Sequence, residues 1–276
     1  MRRPTEAFFM PDGRGGLLHA VLHRPADDPV RASVVLAQAW GPEMNFSRRH
    51  VAQTCRELAA AGCMVLIVDL YGTGDSHGNP EDGTWQRWAA DLDHAVTWLQ
   101  ERQPGVPLWV WGHRAGALVA AAAWPKLAEA NLLLWQPVAS LAELRREWER
   151  QLAATAIANG RPAAHATESV LQAWREGRAV EIAGTAVAAA LALDETAPTM
   201  SDIRPVRGSQ MAWMSLSRRV PAQPSGPTQA VMSAWVAQGG AARWRHAATE
   251  PFWLVAEAER SPELARQTVL AVLGGE

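Results

Sequence analysis

Lysine is all but missing from this 276-residue chain: Lys126 is the only one, and arginine supplies the rest of the basic charge. With abundant Ala and Trp beside it, the bias reads as the mark of a GC-rich coding sequence rather than a functional demand. An excess of charge of one sign is also absent. The formal net charge of −2 gives no global electrostatic reason to expect nucleic acid or an anionic membrane as partner. Cysteine is limited to Cys55 and Cys63, too few for a disulfide framework. One falls in a predicted helix and the other just before a predicted strand, the setting of a buried thiol pair. No apolar run approaches the ~18 residues of a membrane span. The start, Met1 to Glu6, has basic residues but no apolar stretch of leader length after them. A soluble cytoplasmic protein is therefore expected. The eight histidines are scattered singly, with no H-E-x-x-H or clustered Cys/His spacing, so no metal centre is expected. Neither Gly72-x-Gly74 nor Gly112-x-x-x-Gly116 completes a phosphate or dinucleotide loop, so no cofactor is expected either.

What the chain does have is a strand–helix rhythm. Ala7–Met10 and Leu17–Leu22 flank the turn-rich Pro11-Asp12-Gly13-Arg14-Gly15-Gly16 and predict a β-meander. Ser33–Ala39 and Met64–Asp69 are continuous apolar runs of strands buried on both faces. Between them Ser47–Ala61 has helical spacing and stops at Gly62. Thr84–Arg102 carries an apolar stripe of Trp88, Leu92, Ala95 and Leu99. Pro107–Trp111 and Asn131–Trp135 read as strands, with a small-residue helix from Ala117 to Ala123 between them. This alternation predicts a mostly parallel central sheet with helices on both faces. From about residue 140 to 209 the rhythm changes to helical patterns at Leu141–Ala158, Ala166–Trp174 and Ala186–Leu193, with Ala179–Ile182 as a short edge strand at most. That stretch predicts a helical cap, residues 140–209, inserted into a core of 1–139 and 210–276. A strand at Gln210–Leu216, a helix at Thr228–Gln238, a last strand at Ala242–His246 and a helix at Pro262–Leu273 complete the core.

The most informative stretch is Gly112-His113-Arg114-Ala115-Gly116. It has the surroundings of a nucleophile elbow, a buried strand before it and a helix after it, but arginine stands where the nucleophile belongs. A guanidinium stays protonated and has only donors to offer, so it cannot attack a carbonyl. With the N-terminal meander and with Asp69 followed by Gly72-x-Gly74-x-Ser76, the elbow makes the chain resemble an α/β hydrolase over nearly its whole length. More narrowly it resembles the "hydrolase 2, exosortase A system-associated" proteins. That resemblance rests on Pro42-Glu43-Met44-Asn45 with Ser47-Arg48-Arg49, on Trp111–Ala117, and on Phe252-Trp253. It implies an α/β-hydrolase fold and a bacterial setting of exopolysaccharide and sorted-protein export, without supplying a substrate.

Against that family pattern the triad is missing throughout. Thr249-Glu250-Pro251-Phe252-Trp253 stands where the general base is expected, and Ser215-Leu216-Ser217-Arg218-Arg219 holds no acid. Ser76 and His246 are the weak remaining catalytic candidates. Gln38-Ala39-Trp40-Gly41-Pro42 occupies the oxyanion loop, whose amides could face the elbow beside Ala115. A candidate ligand pocket follows, made of Arg114, His113, Ala115, Gln38, Trp40, Gly41, Asp75, Glu250 and Trp253. Arg114 needs an anion near it, because a buried arginine without a partner is costly. Glu250 and Asp75 are the expected internal partners, and a small acidic or acyl ligand is the external alternative. Two functions follow: a pseudohydrolase that binds a ligand or a partner, or an active hydrolase or acyltransferase with a displaced nucleophile. A homodimer or a partner hydrolase would be compatible with either.

Overall fold

The computed structural model describes residues 5–26, 29–127, 129–255 and 257–274; Arg2 and Arg3, counted among the basic residues of the start, lie outside them. In chain order the elements are β1 (Thr5–Pro11), β2 (Leu17–His23), β3 (Ala32–Ala37), α1 (Pro42–Ala60), β4 (Cys63–Val68), α2 (Trp85–Arg102), β5 (Leu108–His113) and α3 (Gly116–Ala123). They continue with β6 (Asn131–Trp135), α4 (Leu141–Ala158), α5 (Ala163–Arg175), β7 (Val180–Ile182), β8 (Thr185–Val187), α6 (Ala189–Ala192), β9 (Gln210–Ser217), α7 (Gly226–Ala237), β10 (Ala241–Ala248) and α8 (Pro262–Leu273). Eight strands form one sheet in the order β1-β2-β4-β3-β5-β6-β9-β10. β2 pairs antiparallel with both neighbours, and every pair from β4 to β10 is parallel. The apolar runs of β3 and β5 are buried at every position, as strands covered on both faces must be.

The two faces of the sheet bury separate cores. One gathers Leu92, Leu118, Leu134 and Trp235 beneath α2, α3 and α7. The other gathers Cys55, Trp109, Trp111, Trp135 and Val272 beneath α1 and α8. Trp135 shows how the second core tolerates an indole: its Nε1–H donates to Thr268 Oγ1 on α8 at 3.0 Å. Both cysteines are buried and free, and burial pushes the Cys63 thiol up to about 12, which leaves it inert as a nucleophile.

Most boundaries shift by a few residues from the sequence reading, and two departures bear on the site. α1 begins at Pro42 rather than Ser47, because Gly41 takes a φ of 65° before it and proline suits the first helical position. Glu43 therefore sits in the first turn of a helix and not in an open loop. In the stretch from 140 to 209, Ala186–Leu193 is not one helix. Thr185–Val187 pairs antiparallel with Val180–Ile182 in a two-stranded hairpin, and only the short α6 follows. Its two-residue turn has both central residues at positive φ, Ala183 at 48° and Gly184 at 82°, the conformation that keeps tight hairpins twisted correctly. An alanine there hides the turn from sequence inspection.

Candidate functional site at the elbow

The elbow is built by two glycines that admit no side chain. A Cβ on Gly112 would lie 2.7 Å from Ala117 Cα, and one on Gly116 would lie 2.0 Å from the Ala37 carbonyl oxygen. β5 therefore turns into α3 hard against the end of β3. Arg114, between them, adopts φ 53°, a left-handed conformation uncommon for a side-chain-bearing residue. The nucleophile's backbone geometry is present with an arginine in it.

The Arg114 side chain is almost wholly buried and is held from three directions. Its Nε donates to Glu43 Oε1 and Oε2 at 3.4 and 3.3 Å, and its Nη2 to Glu43 Oε1 at 3.2 Å. Nη2 also donates to Glu147 Oε2 on α4 at 2.7 Å, and Nη1 to the Gln136 carbonyl at 3.2 Å. The Trp253 ring lies 5.2 Å from the guanidinium carbon. Burial works against the arginine's charge, but the Glu43 and Glu147 carboxylates outweigh it and hold its pKa above the ordinary value. Burial raises the Glu43 carboxyl, against the pull of Arg114, and the neighbouring Glu147 pushes the same way.

These contacts correct the expected partners. Glu250 does not reach the elbow: its Oε2 accepts from Arg218 Nη2 at 2.9 Å and its Oε1 from the Glu259 amide at 2.7 Å. Asp75 is exposed on the Gly-rich loop, where its amide donates to Asp69 Oδ2 at 3.1 Å. The actual partners are Glu43, in the first turn of α1, and Glu147, on the inward face of α4.

Four further candidates have their polar atoms engaged within the fold. His113 is fully buried on the opposite side of β5, with Nε2 2.9 Å from Ser47 Oγ and Nδ1 3.3 Å from the Trp135 carbonyl. Burial lowers it to about 3 and leaves it neutral, and with none of its surface exposed it does not line the expected ligand pocket. Ser76 is consumed by main chain: its Oγ accepts from the His19 amide at 2.8 Å and donates to the Asp69 carbonyl. His246 Nε2 lies 3.0 Å from Ser217 Oγ, which also lies 2.7 Å from the Arg219 carbonyl. Both contacts are satisfied when the hydroxyl donates to Arg219 and the imidazole donates to the hydroxyl, which leaves no basic lone pair aimed at Ser217. Gln38 donates its amide to Asp69 Oδ1 at 2.7 Å while lining one of the small cavities beside Ala115.

Around the elbow itself there is little room. Ala115 borders two cavities of about 10 Å³ each, with Trp40 lining both. Each can take one water and no ester. One is roofed by Leu144, Glu147 and Trp148 of α4 and by Ile182 of the hairpin. Larger spaces lie to either side. A cleft of about 380 Å³ is lined by Gly41, Arg48, Thr73, Asp75 and Thr185. A groove of about 740 Å³ runs past Arg146 and Arg150 to Ser217 and Thr228. For a metal, His19, Asp69 and Asp75 bring ligand atoms within 4.8 Å of one another. Asp69 is already occupied there, its Oδ2 by His19 Nδ1 and the Asp75 amide and its Oδ1 by Gln38.

With the sheet order, the elbow and its glycines established, kinship is direct. The family model described as serine aminopeptidase, S33, matches residues 29–183, more than half of the chain. The chain belongs to this hydrolase family. Among curated relatives, lysophosphatidylserine lipase ABHD12 of Xenopus tropicalis is 29% identical over 99 residues, covering 34% of this chain and 25% of that protein. The Gallus gallus protein of the same name is 28% identical over 102 residues, 35% and 26% of the two chains. The chain thus spans about a quarter of the length of these relatives. Among solved structures, Est1E of Butyrivibrio proteoclasticus bound to ferulic acid superposes with a TM-score of 0.61 at 16% identity, covering 97% of this chain and 96% of that one. An α/β serine hydrolase without lid from Xanthomonas campestris gives 0.58 at 15% identity, covering 98% and 95%. At those identities the likeness establishes the α/β-hydrolase fold alone.

Proposed function

We propose that this chain is a non-catalytic member of its family, a pseudohydrolase in which the nucleophile position has become the anchor of the segment that covers it. One observation carries the reading: Arg114 occupies the elbow, neutralised from both sides by Glu43 of the core and Glu147 of α4. A nucleophile needs a lone pair at that point and a base within reach of its proton. Arg114 has no lone pair to give, His113 points away into the core, and His246 is engaged with Ser217. The finer setting is carried by the resemblance of Pro42–Asn45 and Trp111–Ala117 to the exosortase A system-associated proteins. On that basis the protein serves a bacterial exopolysaccharide or sorted-protein export system as a binding or partner protein. A cytoplasmic location belongs to the same proposal; among the described residues no helix is long and apolar enough to cross a membrane.

The second reading, an active hydrolase or acyltransferase with a displaced nucleophile, is favoured by kinship to proteins named as lipases and esterases. A serine- or cysteine-directed covalent probe and a panel of short-chain esters separate the two. The non-catalytic reading expects neither labelling nor turnover. It also expects Arg114→Ser to gain no esterase activity, since the base is missing as well as the nucleophile. Turnover by the wild type would overturn it.

A further inference from the structure

Glu147 has the features of an internal substitute for a ligand. Its side chain lies between two arginines: Oε2 is 2.7 Å from the buried Arg114 Nη2, and Oε1 is 3.9 Å from Nη2 of the exposed Arg150 three residues on. It is the more exposed of the two carboxylates on Arg114, and it comes from the inserted segment rather than the core. Arg114 does not depend on it for position. Glu43 holds Nε and shares Nη2, and the Gln136 carbonyl holds Nη1. Charge does not require it either, since Arg114 and Glu43 alone form a neutral pair.

We propose that the Arg114 site is a self-occupied carboxylate site, and that a short aliphatic carboxylate binds there by exchange with Glu147. The exchange keeps the site's charge constant: one carboxylate leaves Nη2 and another arrives. The outgoing carboxylate has a cation waiting for it in Arg150, and Arg146 and Arg150 both line the groove of about 740 Å³ beside α4. Size follows from covalent structure. Beyond its Cα, a glutamate is a tethered propionate, so its departure frees the volume of that acid. The adjoining cavity adds only about 10 Å³. Its walls, Trp40, Ala115, Leu144, Trp148 and Ile182, suit the acid's alkyl end while Arg114 takes its head. A planar two-oxygen head matches the place Glu147 leaves better than a tetrahedral phosphate does. This inference rests on the non-catalytic reading of the elbow, since it makes Arg114 a receptor for the acid.

The tethered carboxylate has a high effective concentration, so the wild type should bind free acid weakly and removal of the tether should show the site. The test titrates full-length wild type and Glu147→Ala with sodium propionate at constant ionic strength, by calorimetry and by tryptophan fluorescence, with Trp253 beside the guanidinium as reporter. Propionate should bind Glu147→Ala at least tenfold more tightly than wild type, with hexanoate and inorganic phosphate each at least tenfold weaker than propionate in the variant. Should Glu147→Ala fold only in the presence of propionate, that rescue supports the same exchange, and failure of propionate to restore folding would overturn it. Arg150→Ala, a surface change, should weaken propionate binding to an otherwise wild-type chain several-fold by removing the outer resting place of Glu147. Equal affinity in wild type and Glu147→Ala, or no effect of Arg150→Ala, would overturn the exchange. Ester turnover is read in a separate assay, so a failure here leaves the non-catalytic reading standing, and the reverse.

Discussion

Replacing Glu43 and Glu147 together should do far more damage than the two single replacements suggest. Arg114 is 5% exposed and faces two carboxylates, so the cluster carries one negative charge more than it needs. Glu43→Gln leaves the neutral pair Arg114–Glu147, and Glu147→Gln leaves Arg114–Glu43. Each single change removes charged hydrogen bonds worth about 1.5–3 kcal/mol but also relieves repulsion between the two acids, so a net loss of about 1 kcal/mol is expected. The double replacement strands a buried guanidinium that cannot discard its proton, at a cost of about 3–5 kcal/mol. The excess over additivity is thus about 1–3 kcal/mol, in the range that contacting residues of one ion network show. Urea unfolding of the four proteins at pH 7 closes the cycle. A double variant that matches the sum of the singles to within about 0.5 kcal/mol would mean that Arg114 finds another anion or water, and would refute the reasoning.

Other outcomes follow from neighbouring groups. His113 is held neutral by burial, with its pKa lowered from 6.5 to about 3, so the unfolded chain binds a proton before the folded one does. Stability from this group is full above pH 6.5 and is lost as pH falls towards 3, by up to about 1.4 kcal/mol per pH unit; His113→Gln should flatten that part of a melting-temperature profile. Glu43 has the opposite sign. Its carboxyl is raised above 4.5, the folded state keeps the proton longer, and stability is lost as pH rises through the raised value. Glu43→Gln should remove that loss, as seen in the same profile. Gly116→Ala places a Cβ against the Ala37 carbonyl and should cost about 3 kcal/mol in urea unfolding, whereas Gly226→Ala, with open space around it and no left-handed φ, should lose much less.

The sheet was readable because its signals are redundant. β3, β4 and β6 are uninterrupted apolar runs, and the glycines at 112 and 116 fix the elbow whatever stands between them. Arg114 could be read as a residue in need of an anion, since that follows from its chemistry alone. Which anion could not be read, because partner choice is a matter of three-dimensional register. Glu43 depends on α1 starting at Pro42, and Glu147 depends on which face of a charge-rich helix α4 turns inward. The buried Leu141, Leu144 and Trp148 set that face by packing against the core. His113 shows the same limit from the other side. Adjacent residues on a strand point to opposite faces, so its closeness to Arg114 in sequence put it near Ser47 and Phe252 instead.

The most direct measurement is the intact mass of the purified wild-type protein after incubation with a fluorophosphonate, a reagent that any activated serine on this fold would capture. An unmodified mass is the predicted result, because the elbow holds Arg114 clamped between Glu43 and Glu147 and Ser76 and Ser217 are committed to main-chain bonds. A stoichiometric single adduct would contradict the non-catalytic elbow, and the serine that carried it would be the displaced nucleophile.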